Sequence, residues 1–164
     1  GFERAWQQRG GTLDRTPVGD QHVHAAMVAS GAGLGGEQSG HILSASHGLC
    51  GDGVLTAVQL ATLCHAQGIS LSDWLDRSFQ AYPQKLVNVR VIDRLRRKNW
   101  SACTALTDAI ASAEQSMGET GRILVRASGT EPVLRVMVEA EQSDAVEHWT
   151  GHLAAVAEDH LNAA

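Results

Sequence analysis

The apolar positions divide the chain into two stretches of different rhythm. Through residues 1–82 the pattern is helical and repeatedly broken by glycine; after that, alternating and helical segments succeed one another. Phe2 to Gln8 reads as a short helix ended by Gly10 and Gly11, and Asp20 as the cap of a second helix running to Ser30, with Gly31 as its stop. Gly33 to His41 is too glycine-rich to predict regular structure, and the short apolar segment Ile42 to Ala45 comes next. Val54 to Gln67 is apolar nearly all round, so it is expected to be a buried helix, capped by Asp52 and ended by Gly68. Ser70 and Asp73 have the spacing to cap a further helix over Leu71 to Phe79.

Tyr82-Pro83-Gln84 is the natural boundary, because a proline there separates the last helical pattern from the strand-like alternation of Val87, Val89 and Val91. The units expected are therefore 1–82 and 83–164. In the second unit the segments read strand, helix, strand, loop, strand, helix. One helix carries Cys103, Leu106, Ile110, Ala113 and Met117, and the other Val146, Trp149, Leu153, Val156 and His160, both at spacings of three or four. The fold class expected is an incomplete α/β domain followed by a small α+β domain. The latter would be a four-stranded, largely antiparallel sheet with two helices on one face.

Composition narrows the partners. At 164 residues with 43% apolar content the chain can bury a real core, and its net charge of −5 argues against nucleic acid or an anionic membrane surface as the main partner. Cys50, Cys64 and Cys103 form no C-x-x-C pair, so neither a disulfide framework nor a thiolate zinc site is indicated, and a reducing cytoplasm fits best. No apolar run reaches the roughly 18 residues of a membrane span. The start, Gly1-Phe2-Glu3-Arg4-Ala5-Trp6, lacks a Met and reads as mid-helix, as expected of a piece of something longer.

The strongest chemical signal is Arg126-Ala127-Ser128-Gly129-Thr130-Glu131-Pro132, with Arg135 three residues on, between two β-branched runs. A hairpin turning about Gly129 and Thr130 would set Arg126 and Arg135 opposite each other, their Cβ atoms about 5 Å apart. Guanidiniums that close repel unless an anion lies between them, and a phosphate can take a bidentate fork from each. Ser128 and Thr130 add hydroxyls, and Gly129 lets backbone N–H groups approach the oxygens. The competing reading is a tight turn with one Arg paired to Glu131 or Glu139 and the other solvated.

A second polar group is Glu37, Gln38, Ser39 and His41, on a flexible glycine backbone with close access. A carboxylate and a hydroxyl so placed suit vicinal sugar hydroxyls, although a structural loop with solvated polar residues fits the spacing equally well. Gly31 to Gly36 formally matches G-x-G-x-x-G, but it would follow a helix and precede a loop, the reverse of a dinucleotide site. Gly36-Glu37-Gln38-Ser39-Gly40 spaces its serine wrongly for a nucleophile elbow. His148 and His152 lie four apart, with no further ligand to complete a tetrahedral set and off the apolar stripe, so a solvated face is expected there. Asp52 alone is too few carboxylates for a cation loop.

Taken together, Gly35-Gly36-Glu37-Gln38-Ser39-Gly40-His41, the Gly51-Asp52-Gly53 before a helix, and Arg126-x-Ser-Gly-Thr-Glu-Pro-x-x-Arg135 resemble the α-D-phosphohexomutase superfamily. Thr16-Pro17-Val18-Gly19-Asp20 resembles its T-x-V-G-D segment. With Gln38 in the sugar loop the likeness is to its bacterial phosphoglucosamine mutase branch, with phosphomannomutase/phosphoglucomutase as the alternative. The resemblance implies an isomerase of four domains that interconverts glucosamine 6-phosphate and glucosamine 1-phosphate through a bisphosphorylated sugar. Glu37, Ser39 and His41 would hold sugar hydroxyls from the third domain. Arg126, Ser128, Gly129 and Thr130, with Arg135 as a helper, would grip the phosphate that is not transferred.

The departures are as informative. The chain carries no Thr-Ala-Ser-His type loop for the family's phosphoserine and no Asp-rich loop for its magnesium; Ser44-Ala45-Ser46-His47 is near the first but follows the sugar loop directly. His47-Gly48-Leu49-Cys50 replaces the more usual threonine-rich approach to Gly51. The resemblance therefore implies a C-terminal fragment with no catalytic residue and no metal ligand of its own, whose Mg2+ site lies in missing N-terminal domains. Such a fragment is expected to bind a hexosamine phosphate, to be inactive alone, and to self-associate through uncovered apolar surface. A stand-alone sugar-phosphate-binding module is the competing class.

Overall fold

A computed structural model describes residues 1–48 and 50–162. The chain forms two compact units, Gly1–Gln80 and Ala81–Ala164.

In the first unit, α1 (Phe2–Gln8) and α2 (Asp20–Ser30) precede a small hairpin of β1 (Leu34–Gly36) and β2 (Ile42–Ser44), and then come α3 (Gly53–Gln67) and α4 (Leu71–Ser78). The glycine-rich stretch is thus partly a strand, with Leu34 opposite Ser44 and Gly36 opposite Ile42. Glycine is what permits this. A Cβ at Gly35 would lie 2.5 Å from both Met27 Sδ and Val23 Cγ1, so β1 sits directly on α2 only because that position has no side chain. Val23, Met27 and Leu43 form the small buried cluster beneath the hairpin.

Asp20 does not cap α2. Gly19 occupies the cap position, in the conformation φ 129°, ψ 130° that favours glycine, and Asp20 Oδ1 takes only the next N–H, that of Gln21, at 2.8 Å. Asp52 does cap α3, accepting from Val54 and Leu55, and Ser70 and Asp73 form a reciprocal capping box on α4, which ends at Ser78. Gly68 ends α3 at φ 64°.

The expectation that α3 is buried fails. None of its residues is buried, with Val54 76% and Val58 59% exposed. Two three-residue strands offer no surface wide enough to cover a helix of 15 residues, and its main packing partner is the short α4.

The second unit runs β3 (Gln84–Arg90), α5 (Arg94–Lys98), α6 (Thr104–Met117), β4 (Gly121–Ala127), β5 (Val133–Ala140) and α7 (Ser143–Leu161). Its sheet, among the described residues, has three strands rather than four, ordered β3-β5-β4 and antiparallel throughout. Val89, Val125, Leu134, Val136 and Val138 point to the helix side and pack with Leu106 of α6 and Leu153 of α7. On α7 the buried stripe is Val146, Thr150, Leu153, Ala157 and Leu161, while His160 is exposed. The buried face is therefore turned slightly from the one expected, because Thr150 goes inside despite its hydroxyl.

No single helix among the described residues is long and apolar enough to cross a membrane.

Candidate functional site

Each unit presents one polar hairpin loop.

In the second unit, β4 and β5 pair in register from Gly121 opposite Ala140 to Ala127 opposite Leu134, which sets Arg126 opposite Arg135. The turn centres between Thr130 and Glu131, one residue beyond the expected point, and Ser128 N donates to Val133 O at 2.9 Å to close it. Inward Val125, Leu134 and Val136 anchor the strands in the core, so period-two alternation turns both arginines to the face away from the helices. The same face carries Asn88, which β3 places opposite Arg135. Sequence reasoning does not single out Asn88, although the alternation of Val87, Val89 and Val91 turns it outward.

The charges in this row are unbalanced. Arg135 Nη2 donates to Glu131 Oε2 at 2.8 Å, but its Nε is buried without a partner. The side chain of Arg126, a half-buried residue, makes no hydrogen bond or ion pair with any described residue. Arg122, four residues before it, is by contrast paired with Glu139 at 2.6 Å. Like charges directly opposite on a ladder destabilise it, and a buried N–H without an acceptor adds to the cost. An anion between the two guanidiniums would relieve both.

Ser128 Oγ accepts from Glu131 N at 3.2 Å, while Gly129 and Thr130 are exposed or nearly so at the turn. Gly129 has no positive φ and nothing within 4 Å of its missing Cβ. Neither its backbone nor its neighbours require a glycine there.

In the first unit, Glu37, Gln38, Ser39, Gly40 and His41 form the tip between β1 and β2. Glu37 N donates to His41 O and Gly40 N to Glu37 O, each at 3.0 Å, so the tip is a hydrogen-bonded turn. Ser39 Oγ and His41 Nδ1 are 2.9 Å apart. The His41 ring lies against Gly51, where a Cβ would come within 2.8 Å of it. Glu37 Oε1 accepts from Gly19 N at 2.9 Å, a contact that sequence spacing does not suggest.

The hairpin leads out through Ser44, Ser46 and His47. Ser46 Oγ is 2.7 Å and Gln59 Nε2 of α3 is 3.1 Å from His47 Nδ1, so this segment is tied to the next helix. Of the His47–Cys50 departure, Leu49 lies outside the described residues. Among those residues no group of three His, Cys, Asp or Glu side chains could hold a metal ion, and His148 and His152 stack with ring centroids 6.3 Å apart on α7. Magnesium therefore finds no fitting donor set in the residues described.

The arrangement matches known proteins closely. Residues 1–82 match the α/β/α domain III of phosphoglucomutase/phosphomannomutase, and residues 86–156 match the C-terminal domain of the same family. All 164 residues align at 94% identity with a phosphoglucosamine mutase of Synechococcus sp. (strain CC9605), covering 35% of its length. They align at 76% with that of Parasynechococcus marenigrum (strain WH8102), covering 36%. The chain thus spans about a third of the length of these relatives. Among solved structures, an Aspergillus fumigatus N-acetylphosphoglucosamine mutase shares the fold over 98% of the chain and 36% of its own, with TM-score 0.80 at 21% identity. A crystal structure of the A. fumigatus enzyme in complex with GlcNAc-6P and magnesium aligns over 70% of the chain and 22% of its own, with TM-score 0.58 at 25% identity.

Proposed function

The chain belongs to the phosphoglucomutase/phosphomannomutase family, and from that premise we propose that it is the sugar- and phosphate-binding part of a phosphoglucosamine mutase. The whole enzyme interconverts glucosamine 6-phosphate and glucosamine 1-phosphate through a bisphosphorylated sugar. The 94% identity to a protein of that name supports this substrate over glucose or mannose phosphates.

The observation that carries the reading is the pair of facing arginines with unsatisfied donors, Arg126 without a partner and Arg135 with a buried free Nε. A phosphate dianion seated there accepts a fork from each guanidinium, and hydroxyl or backbone donors from Ser128, Gly129 and Thr130 complete its shell. Each charge-assisted bond contributes about 1.5–3 kcal/mol. At the other loop, Glu37 accepts hydrogen bonds from sugar hydroxyls, with the Ser39 and His41 pair beside it. Each loop thus binds one part of such a ligand by its own chemistry, the arginine hairpin a phosphate and the Glu37 loop sugar hydroxyls.

Phosphoryl transfer also needs an in-line nucleophile and a cation to neutralise developing charge. We assign both to the part of the relatives' length that this chain does not match, so binding and chemistry are divided. In the cytoplasm, where we place the protein, its three free cysteines stay reduced.

The test is turnover. A protein of the relatives' full length carrying this chain should convert glucosamine 6-phosphate, whereas the purified chain alone should bind it without reaction. Turnover by the chain alone contradicts the division.

A further inference from the structure

We propose that Gly19 is a positioning residue for the sugar loop: its N–H holds the Glu37 carboxylate in place for the ligand. This rests on the reading of Glu37 as the acceptor of sugar hydroxyls.

Helix α2 begins at Asp20 without a side-chain cap from Gly19, and its third residue, His22, offers no carboxylate to reach back to the cap N–H. In a capping box that N–H is taken by a Glu or Gln within the same helix. Here the acceptor comes from 18 residues away, Glu37 Oε1 at 2.9 Å. Gly19 presents its N–H toward the hairpin through φ 129°, ψ 130°, which a side chain would strain. Its carbonyl simultaneously accepts from His22 N at 2.9 Å and Val23 N at 3.3 Å, so the donor belongs to a fixed helix start rather than to a mobile loop.

The second half of the clamp is apolar. Gly35, two residues before Glu37, lies against Val23 and Met27 of the same helix so closely that no Cβ fits. Backbone contact at Gly35 and the polar pin at Gly19 together fix the hairpin tip on the first turns of α2. One carboxylate oxygen of Glu37 is thereby committed to the protein, and Oε2 stays available with its direction set. The segment Thr16 to Asp20 accordingly serves the site through Glu37.

A glutamate at a loop tip otherwise spends binding free energy on ordering its rotamers, an effect of about tenfold in affinity. The experiment is a double-mutant cycle on glucosamine 6-phosphate affinity, in a protein of the relatives' full length that carries this chain. Gly19→Ala should weaken binding about tenfold in the native background and less than about twofold alongside Glu37→Ala. Equal weakening in both backgrounds, or none in the native one, overturns the proposal. If Glu37→Ala lowers thermal stability yet leaves affinity unchanged, Glu37 is only a cap, and the sugar-loop reading falls together with the clamp. Loss of affinity in Glu37→Ala with no effect of Gly19→Ala overturns the clamp alone. Should Gly19→Ala fail to fold, Glu37→Asp takes its place, since a carboxylate one methylene shorter cannot keep the Gly19 N–H and still reach the ligand. Undiminished affinity in that variant overturns the proposal.

Discussion

The two polar loops both sit on antiparallel hairpins, yet they are held in different ways. The arginine loop rides on strands of seven and eight residues whose inner faces enter the core at Val125, Leu134 and Val136. The Glu37 loop rides on two strands of three residues over Val23, Met27 and Leu43. The first loop can leave charges unpaired because its scaffold is strong. In the second, the candidate side chains are already bonded, Glu37 to Gly19 and Ser39 to His41. A thin scaffold is thus supplemented by polar contacts that also aim the groups.

The largest expected effect lies in the scaffolds. Leu134→Ala, at a fully buried position of β5, should destabilise the second unit by about 3–5 kcal/mol. Leu43→Ala, at 1% exposure but in a small cluster that can collapse, should cost about 2–3 kcal/mol. Denaturant unfolding of each variant measures both, and equal losses would remove the contrast between the hairpins.

Next come the arginines. Arg126→Ala should weaken sugar-phosphate binding about 100-fold, or roughly 2.7 kcal/mol, because no other side chain holds that guanidinium. Arg135→Ala should weaken it about tenfold, since Glu131 already shares that side chain. Isothermal titration orders the two, and a reversed order would show that the Glu131 pair is broken on binding.

The smallest effect is a pH dependence at the start of α5. The N–H groups of Arg96 and Leu95 hold the Asp93 carboxyl below the usual carboxylate range. Its folded value being lowered, the stabilising contribution is complete above the unfolded carboxylate range and is lost as pH falls through the lowered folded value. Protection of the Leu95 and Arg96 amides against exchange, relative to their intrinsic rates at each pH, should therefore fall only in acid. Loss of that protection already near neutral pH would contradict the role of the cap.

The local signals in the sequence account for a good part of this architecture. Asp52 and the Ser70–Asp73 box mark their helices because a cap is specified within four residues. The facing of Arg126 and Arg135 follows from period-two alternation on either side of a turn. What the sequence conceals is non-local. The strand at Leu34–Gly36 exists because α2 comes close enough to exclude a Cβ at Gly35, and a glycine run by itself carries no sign of that. The partner of Glu37 lies 18 residues earlier, at a backbone N–H that no side-chain pattern reveals. The apolar girth of α3 points to burial, yet the two three-residue strands of its unit are too small to cover it.

The most direct test of the arginine hairpin as a phosphate site is a backbone amide titration of the chain with inorganic phosphate, monitored by nuclear magnetic resonance. Saturable shifts should appear at Arg126, Ser128 to Glu131 and Arg135, with those of Glu37 to His41 unmoved until the sugar is present. Shifts confined to other segments, or none at the hairpin at concentrations that saturate glucosamine 6-phosphate binding, would contradict the assignment.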